Sequence, residues 1–190
     1  MNYQRFLSFL LTMSAFGYLA VRPVEASRSQ SNDTEPNSVS SSLTAAQARP
    51  GFELHRQRNF SVEYPTGWLV DNSGNTGSDA TLWNRQPPTL GGGEWPSDLV
   101  RTNIDIVNSS YSSVVRGLEQ SDNSEILRRG EVTIGGMRAL RVWSIGINSL
   151  VIQTIVEYSD SQTAIISSFY ADDIWIEDIQ DVHWSFRKLN

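Results

Sequence analysis

The stretch from Glu131 to Tyr170 constrains the fold more than any other part of the chain. Glu131 to Ile134 and Met137 to Trp143 are alternating runs on either side of Gly135-Gly136. Two glycines in that position signal a tight hairpin turn, whose central residues need positive φ. Leu150 to Tyr158 and Thr163 to Tyr170 flank Ser159-Asp160-Ser161-Gln162 in the same manner. All four runs are rich in Val, Ile, Thr and aromatic residues, which suit a pleated, half-buried surface. Consecutive hairpins make antiparallel neighbours, so a mostly antiparallel central sheet is expected.

The same period appears upstream. Phe52, Leu54 and Arg56 alternate with Glu53 and His55, and Phe60, Val62 and Tyr64 alternate with Ser61 and Glu63. These predict two strands joined by a turn over Arg56 to Asn59. Pro65-Thr66-Gly67-Trp68 ends the second, since proline cannot continue the ladder. Asp71 to Asp79 reads as a polar loop and Ala80 to Trp83 as a short strand. Gln86 to Ser97 holds Pro87-Pro88, Gly91-Gly92-Gly93 and Trp95-Pro96, and reads as a long irregular loop. Thr102 to Val107 alternates again. Tyr111, Val114, Val115 and Leu118 follow helical spacing and predict a helix over Ser112 to Gln120. Trp175, Ile179, Val182 and Phe186 form one apolar stripe on a closing helix, with Asp172 and Asp173 where an N-cap and the helix dipole favour acids. The expected class is α+β, with helices packed on the faces of the sheet.

Two segments precede this pattern. Arg5, the apolar run Phe6 to Val21, and Val24 and Ala26 at the positions a peptidase reads predict a secretory signal over residues 1–26. Residues 27–50 are rich in Ser, Asn and Gln. They lack the apolar side chains needed to offset ordering entropy, so a disordered tether is expected, with at most a helical turn from Leu43 to Arg49. The folded domain then spans residues 51–190. Cysteine is absent from the sequence. No disulfide framework, thiol nucleophile, thiolate metal site or cysteine-linked lipid anchor is available. The net charge of −6 repels phosphates and argues against a nucleic-acid partner.

Three segments together resemble the PsbP family. Phe60-Ser61-Val62-Glu63-Tyr64-Pro65-Thr66-Gly67-Trp68 is similar to its opening strand and Tyr-Pro-x-Gly-Trp turn. Glu131 to Ala139 resembles its central hairpin, and Asp181 to Arg187 its final helix with a Ser-Phe-Arg ending. The resemblance covers Phe52 to Asn190. It implies an α-β-α sandwich around a central antiparallel sheet. It also implies a non-enzymatic, monomeric extrinsic protein of the thylakoid lumen, bound to photosystem II in support of oxygen evolution or assembly. Calcium, manganese and chloride retention go with the plant members. Plant relatives dock through lysine-rich surfaces, whereas Lys188 is the only lysine here. Cyanobacterial relatives carry a lipid-anchor cysteine that this chain lacks. The same fold also serves a Ran-binding import factor family and DcrB-like envelope proteins, so a periplasmic or envelope binding module is a second reading.

Few residues suggest chemistry. Glu53 and His55 share a face of the first strand, and a carboxylate with an imidazole suits zinc or manganese. That pair is the candidate metal site and the basis of a third reading, a metal-dependent enzyme. A solvated edge-strand face without a third ligand is the plainer reading. His183 reads as a boundary residue of the last helix. The acids Asp172, Asp173, Glu177, Asp178 and Asp181 offer calcium only weak attraction and lack an EF-hand spacing. No Gly-x-Ser-x-Gly elbow, His-Glu-x-x-His helix or phosphate loop is present. Trp95, on the glycine-proline loop, is a candidate partner-binding anchor or else a cover for the sheet.

Overall fold

The computed structural model describes residues 47–73, 77–88, 95–120 and 125–189. The expected export signal, the tether up to residue 46, the start of the turn expected from Leu43 and the Gly91-Gly92-Gly93 run lie outside them. The chain begins with β1 (Phe52–Arg56), β2 (Phe60–Pro65), β3 (Leu69–Asp71), β4 (Ala80–Trp83) and β5 (Arg101–Val107). Helix α1 (Tyr111–Glu119) follows. Four strands come next: β6 (Glu125–Ile134), β7 (Met137–Ile145), β8 (Leu150–Ser159) and β9 (Gln162–Tyr170). A single 3-10 turn (Asp173–Trp175) leads into α2 (Ile176–Ser185), and β10 (Arg187–Lys188) closes the described order.

The central sheet has seven strands in the order β3-β4-β5-β9-β8-β7-β6, and every pairing in it is antiparallel. Gly135 and Gly136 have φ of 57° and 82°, the left-handed pair that a two-residue hairpin turn requires. They join Ile134 to Met137 as directly opposed residues. The predicted hairpins are therefore present.

Directly opposed residues share a face of a sheet, so the register defines both faces. Ala80, Ile104, Ile166, Thr154, Arg141 and Gly130 form one row across six strands. On this first face lie α2 and a second, three-stranded sheet in the order β1-β2-β10. Phe60, Val62 and Tyr64 of β2 meet Ile179, Val182 and Phe186 in one buried cluster with Ile104, Ile152 and Ile166. Phe60 stacks on Phe186 with ring centroids 5.6 Å apart. On the second face α1 lies against β8 and β9. There the Arg138 guanidinium sits 5.2 Å from the Tyr111 ring, and the Thr163 hydroxyl donates to the Ser109 carbonyl at 2.7 Å. Helices on opposite faces of an antiparallel sheet make the expected α-β-α arrangement.

Several details depart from the sequence reading. The first hairpin is not part of the central sheet; it pairs with β10, and Arg187 and Lys188 oppose Ser61 and Phe60. The final helix therefore stops at Ser185, before the Phe-Arg of its ending. β1 faces the other way from its apolar alternation. Glu53 and His55 oppose Tyr64 and Val62, so they lie on the core side of the hairpin. Phe52 lies on the outer side beneath the Arg49 guanidinium, 4.1 Å from its ring. β3 is too short to show a period, and its last residue, Asp71, falls in the expected polar loop. β6 begins six positions before the expected Glu131 because a bulge between Ile126 and Arg128 breaks its alternation.

Candidate functional site

Glu53 and His55 share a face, as strand geometry requires, but each is engaged separately. A Glu53 carboxylate oxygen accepts the Tyr64 hydroxyl at 3.1 Å. The His55 ring packs edge-on against Phe60, 6.2 Å between centroids. Burial holds the His55 pKa below its ordinary range, and its Nε2 is buried without a hydrogen-bond partner. Among the described residues no group of three His, Cys, Asp or Glu side chains is placed to hold a metal.

Trp95 folds back onto the second face of the central sheet. Its ring centroid lies 6.3 Å from that of Phe169, and its indole N–H donates to the Leu99 carbonyl at 2.8 Å. Register places Trp83, Arg101 and Phe169 side by side beneath it. The Arg101 guanidinium lies 4.4 Å from the Phe169 centroid, 5.2 Å from Trp95 and 5.7 Å from Trp83. Burial lowers its pKa. Among the described residues no carboxylate pairs with it, and the ring faces supply partial negative charge. Trp95 is thus half-buried on a cationic platform, with its polar edge already satisfied.

Further along the same face, burial pushes the Asp105 carboxyl up to about 6, and the charge of Asp79 adds to the effect. The Ser78 hydroxyl and the Asp79 backbone N–H act in the opposite direction. Asp79 itself accepts the Ile106 N–H at 2.7 Å.

The most elaborate polar arrangement lies on the first face, under α2. His183 is fully buried, not at a boundary. Its Nδ1 is 2.7 Å from the Thr154 hydroxyl and its Nε2 2.9 Å from the Ser168 hydroxyl. Ser168 continues to Thr102 at 2.6 Å, and Arg141 Nε donates to Thr154 at 3.0 Å. Burial, reinforced by the Arg141 charge, holds the His183 pKa well below its ordinary value, so the ring is neutral. One ring nitrogen donates and the other accepts. The chain of hydroxyls is therefore saturated, and it fixes α2 to β5, β8 and β9. Both imidazole nitrogens face hydroxyls, and neither faces a carboxylate. Nothing in the sequence pattern singles out Thr102, Thr154 or Ser168; the register alone assembles them.

Neither a protein-family model nor a curated protein matches the sequence. Solved structures do match. The structure is similar to cyanobacterial PsbP (CyanoP) from Synechocystis sp. PCC 6803, with a TM-score of 0.51 and 12% identity, over 77% of this chain and 99% of that one. It is also similar to LpqN, involved in cell envelope biogenesis of Mycobacterium tuberculosis, with a TM-score of 0.52 and 12% identity, over 73% of this chain and 91% of that one. At such identity the likeness is one of fold, and the α+β domain has the PsbP-like architecture.

Proposed function

We propose that the folded domain is a non-enzymatic extrinsic protein that binds a membrane protein complex, with photosystem II on its lumenal side as the partner and oxygen evolution or assembly as the process served. The reading is carried by the overlay on cyanobacterial PsbP, which takes in 99% of that chain. It agrees with the resemblance at Phe60 to Trp68, Glu131 to Ala139 and Asp181 to Arg187. Among the described residues no helix is long and apolar enough to cross a membrane. The test is fractionation of a tagged chain from its native host. Co-purification with photosystem II or an assembly intermediate is expected, and recovery only from periplasm or medium would overturn the reading.

The overlay on LpqN favours a second reading, an envelope binding module on the same fold. A deletion strain separates the two. Slowed oxygen evolution or slowed recovery of photosystem II supports the first. An envelope defect with normal oxygen evolution supports the second.

A further inference from the structure

Arg141 is a buried cation without a counter-ion. It is 2% exposed, and among the described residues no carboxylate comes within ion-pair distance of it. Its Nε–H is used by Thr154. Its Nη2 is buried without a hydrogen-bond partner. One flat side lies against the Trp184 ring, 4.3 Å from the centroid. Burying a charge with unmet hydrogen bonds is costly, and breaking such a site's pairing costs more than the pairing gains. The Trp184 ring face offsets part of that cost, and an anion at the free Nη2 would offset more.

The neighbouring strand leaves open space beside Arg141. The residue directly opposite Arg141 is Gly130, and a Cβ built there meets nothing within 4 Å. Its φ is not positive, so a left-handed turn is not what the glycine serves. One step along the same face Arg128 opposes Trp143, its guanidinium 4.7 Å from that ring, and it too has no carboxylate partner among the described residues. Trp184 covers Arg141 from the end of α2 and is itself 41% exposed. Two arginines without a carboxylate partner among the described residues, and two tryptophans, thus surround a position with no side chain.

We propose that this juxtaposition is a carboxylate-binding site, in which a ligand carboxylate enters over Gly130 and bridges to the Nη edge of Arg141 beneath Trp184. A planar carboxylate matches a guanidinium edge with two parallel hydrogen bonds. Its single charge balances the buried Arg141 guanidinium, Arg128 being exposed, and a phosphate dianion would carry more hydration into an aromatic slot. The site does not depend on the photosystem reading. Its ligand is either a free small carboxylate or an Asp or Glu side chain of a docking protein.

The test is titration of the ¹⁵N-labelled full chain with sodium acetate, N-acetylglutamate α-amide, sodium phosphate and sodium chloride at matched ionic strength. The arginine Nε–H resonance that disappears in R141K is followed. Saturable movement with acetate is expected at concentrations on the order of 1–10 mM, the range for one bidentate charged pair. G130V fills the space with a strand-favouring residue and leaves the charge in place. It should weaken acetate at least about tenfold while the backbone spectrum stays dispersed. Tighter binding of the glutamate derivative than of acetate assigns the site to a protein partner, and equal binding assigns it to a small ligand. Acetate acting no differently from chloride, phosphate binding more tightly than acetate, or G130V binding as well as the parent would each overturn the proposal.

Discussion

Replacing Asp105 by asparagine should stabilise the domain at neutral pH and lose that advantage in acid. The carboxyl sits on β5 facing away from α2, and burial, with the Asp79 charge beside it, raises its pKa from 3.8 to about 6. A raised acid pKa means that the fold holds the proton more tightly than the unfolded chain does. This proton linkage stabilises the domain fully below pH 3.8, fades as pH rises toward 6, and is absent above it. The difference between 3.8 and about 6 corresponds to about 3 kcal/mol at neutral pH, and water reaching the partly exposed carboxyl reduces it to about 2–3 kcal/mol. Asparagine is never charged and keeps an acceptor oxygen for the Asp79 N–H. Urea unfolding of D105N and parent at pH 7.5, 5.5 and 4 gives the difference directly, and all other titrations cancel in it. The variant should lead by about 2–3 kcal/mol at pH 7.5, somewhat less at pH 5.5, and about 0.5 kcal/mol at pH 4. A difference independent of pH, or a variant less stable at pH 7.5, would refute the account and make Asp105 an anionic anchor.

His183 works in the opposite sense. It is held neutral in the fold, so stability should fall by about 1.4 kcal/mol per pH unit as pH drops below 6.5. H183L should flatten that slope in a denaturation series and cost about 1–3 kcal/mol at pH 8, because Thr154 and Ser168 each lose a partner. G135A should cost about 1–2 kcal/mol in thermal unfolding. Its φ is 57°, and its new Cβ would lie 3.1 Å from the Phe186 carbonyl oxygen. F186A should cost about 3–5 kcal/mol, since it empties a fully buried site between Phe60 and Tyr158. Zinc or manganese added to the metal-free chain should give no micromolar binding heat; such heat abolished by H55A would re-establish Glu53 and His55 as ligands.

The hairpins were legible because a period of two and a paired glycine are local signals. Gly135 and Gly136 announce their turn without help from the rest of the chain. The separation into two sheets was not legible. It depends on β10, two exposed residues long, finding Ser61 and Phe60. β1 misled for a related reason. Its outer residues Phe52 and Leu54 are apolar and its core-side residues Glu53 and His55 are polar, because an edge strand can satisfy both in part. The segments that carry the family resemblance converge on one place. Phe60 stacks on Phe186, Ser185 hydrogen-bonds both the N–H and the carbonyl of Glu63, and Gly135 abuts Phe186. They define how the small sheet and α2 close on the central sheet, which is why the resemblance foresaw a fold and no site. Arg141 had no signal at all. An arginine in an alternating strand reads as solvent-facing, and only the row it shares with Thr154 and Gly130 shows otherwise.

The contact between Glu63 and Ser185 spans 122 residues of sequence, and that distance sets an order of assembly. β6 to β9 are joined by short turns and can pair as soon as they exist, whereas closing so long a loop carries an entropic cost that only the completed core repays. Amide exchange pulsed during refolding should protect β7 and β8 ahead of β2. Until residues near 186 arrive, Phe60 and Val62 sit on a hairpin with a bare apolar side, the kind of surface on which partly folded chains stick together. The lifetime of that half-built state, more than the stability of the finished one, governs how much chain is lost before the domain matures.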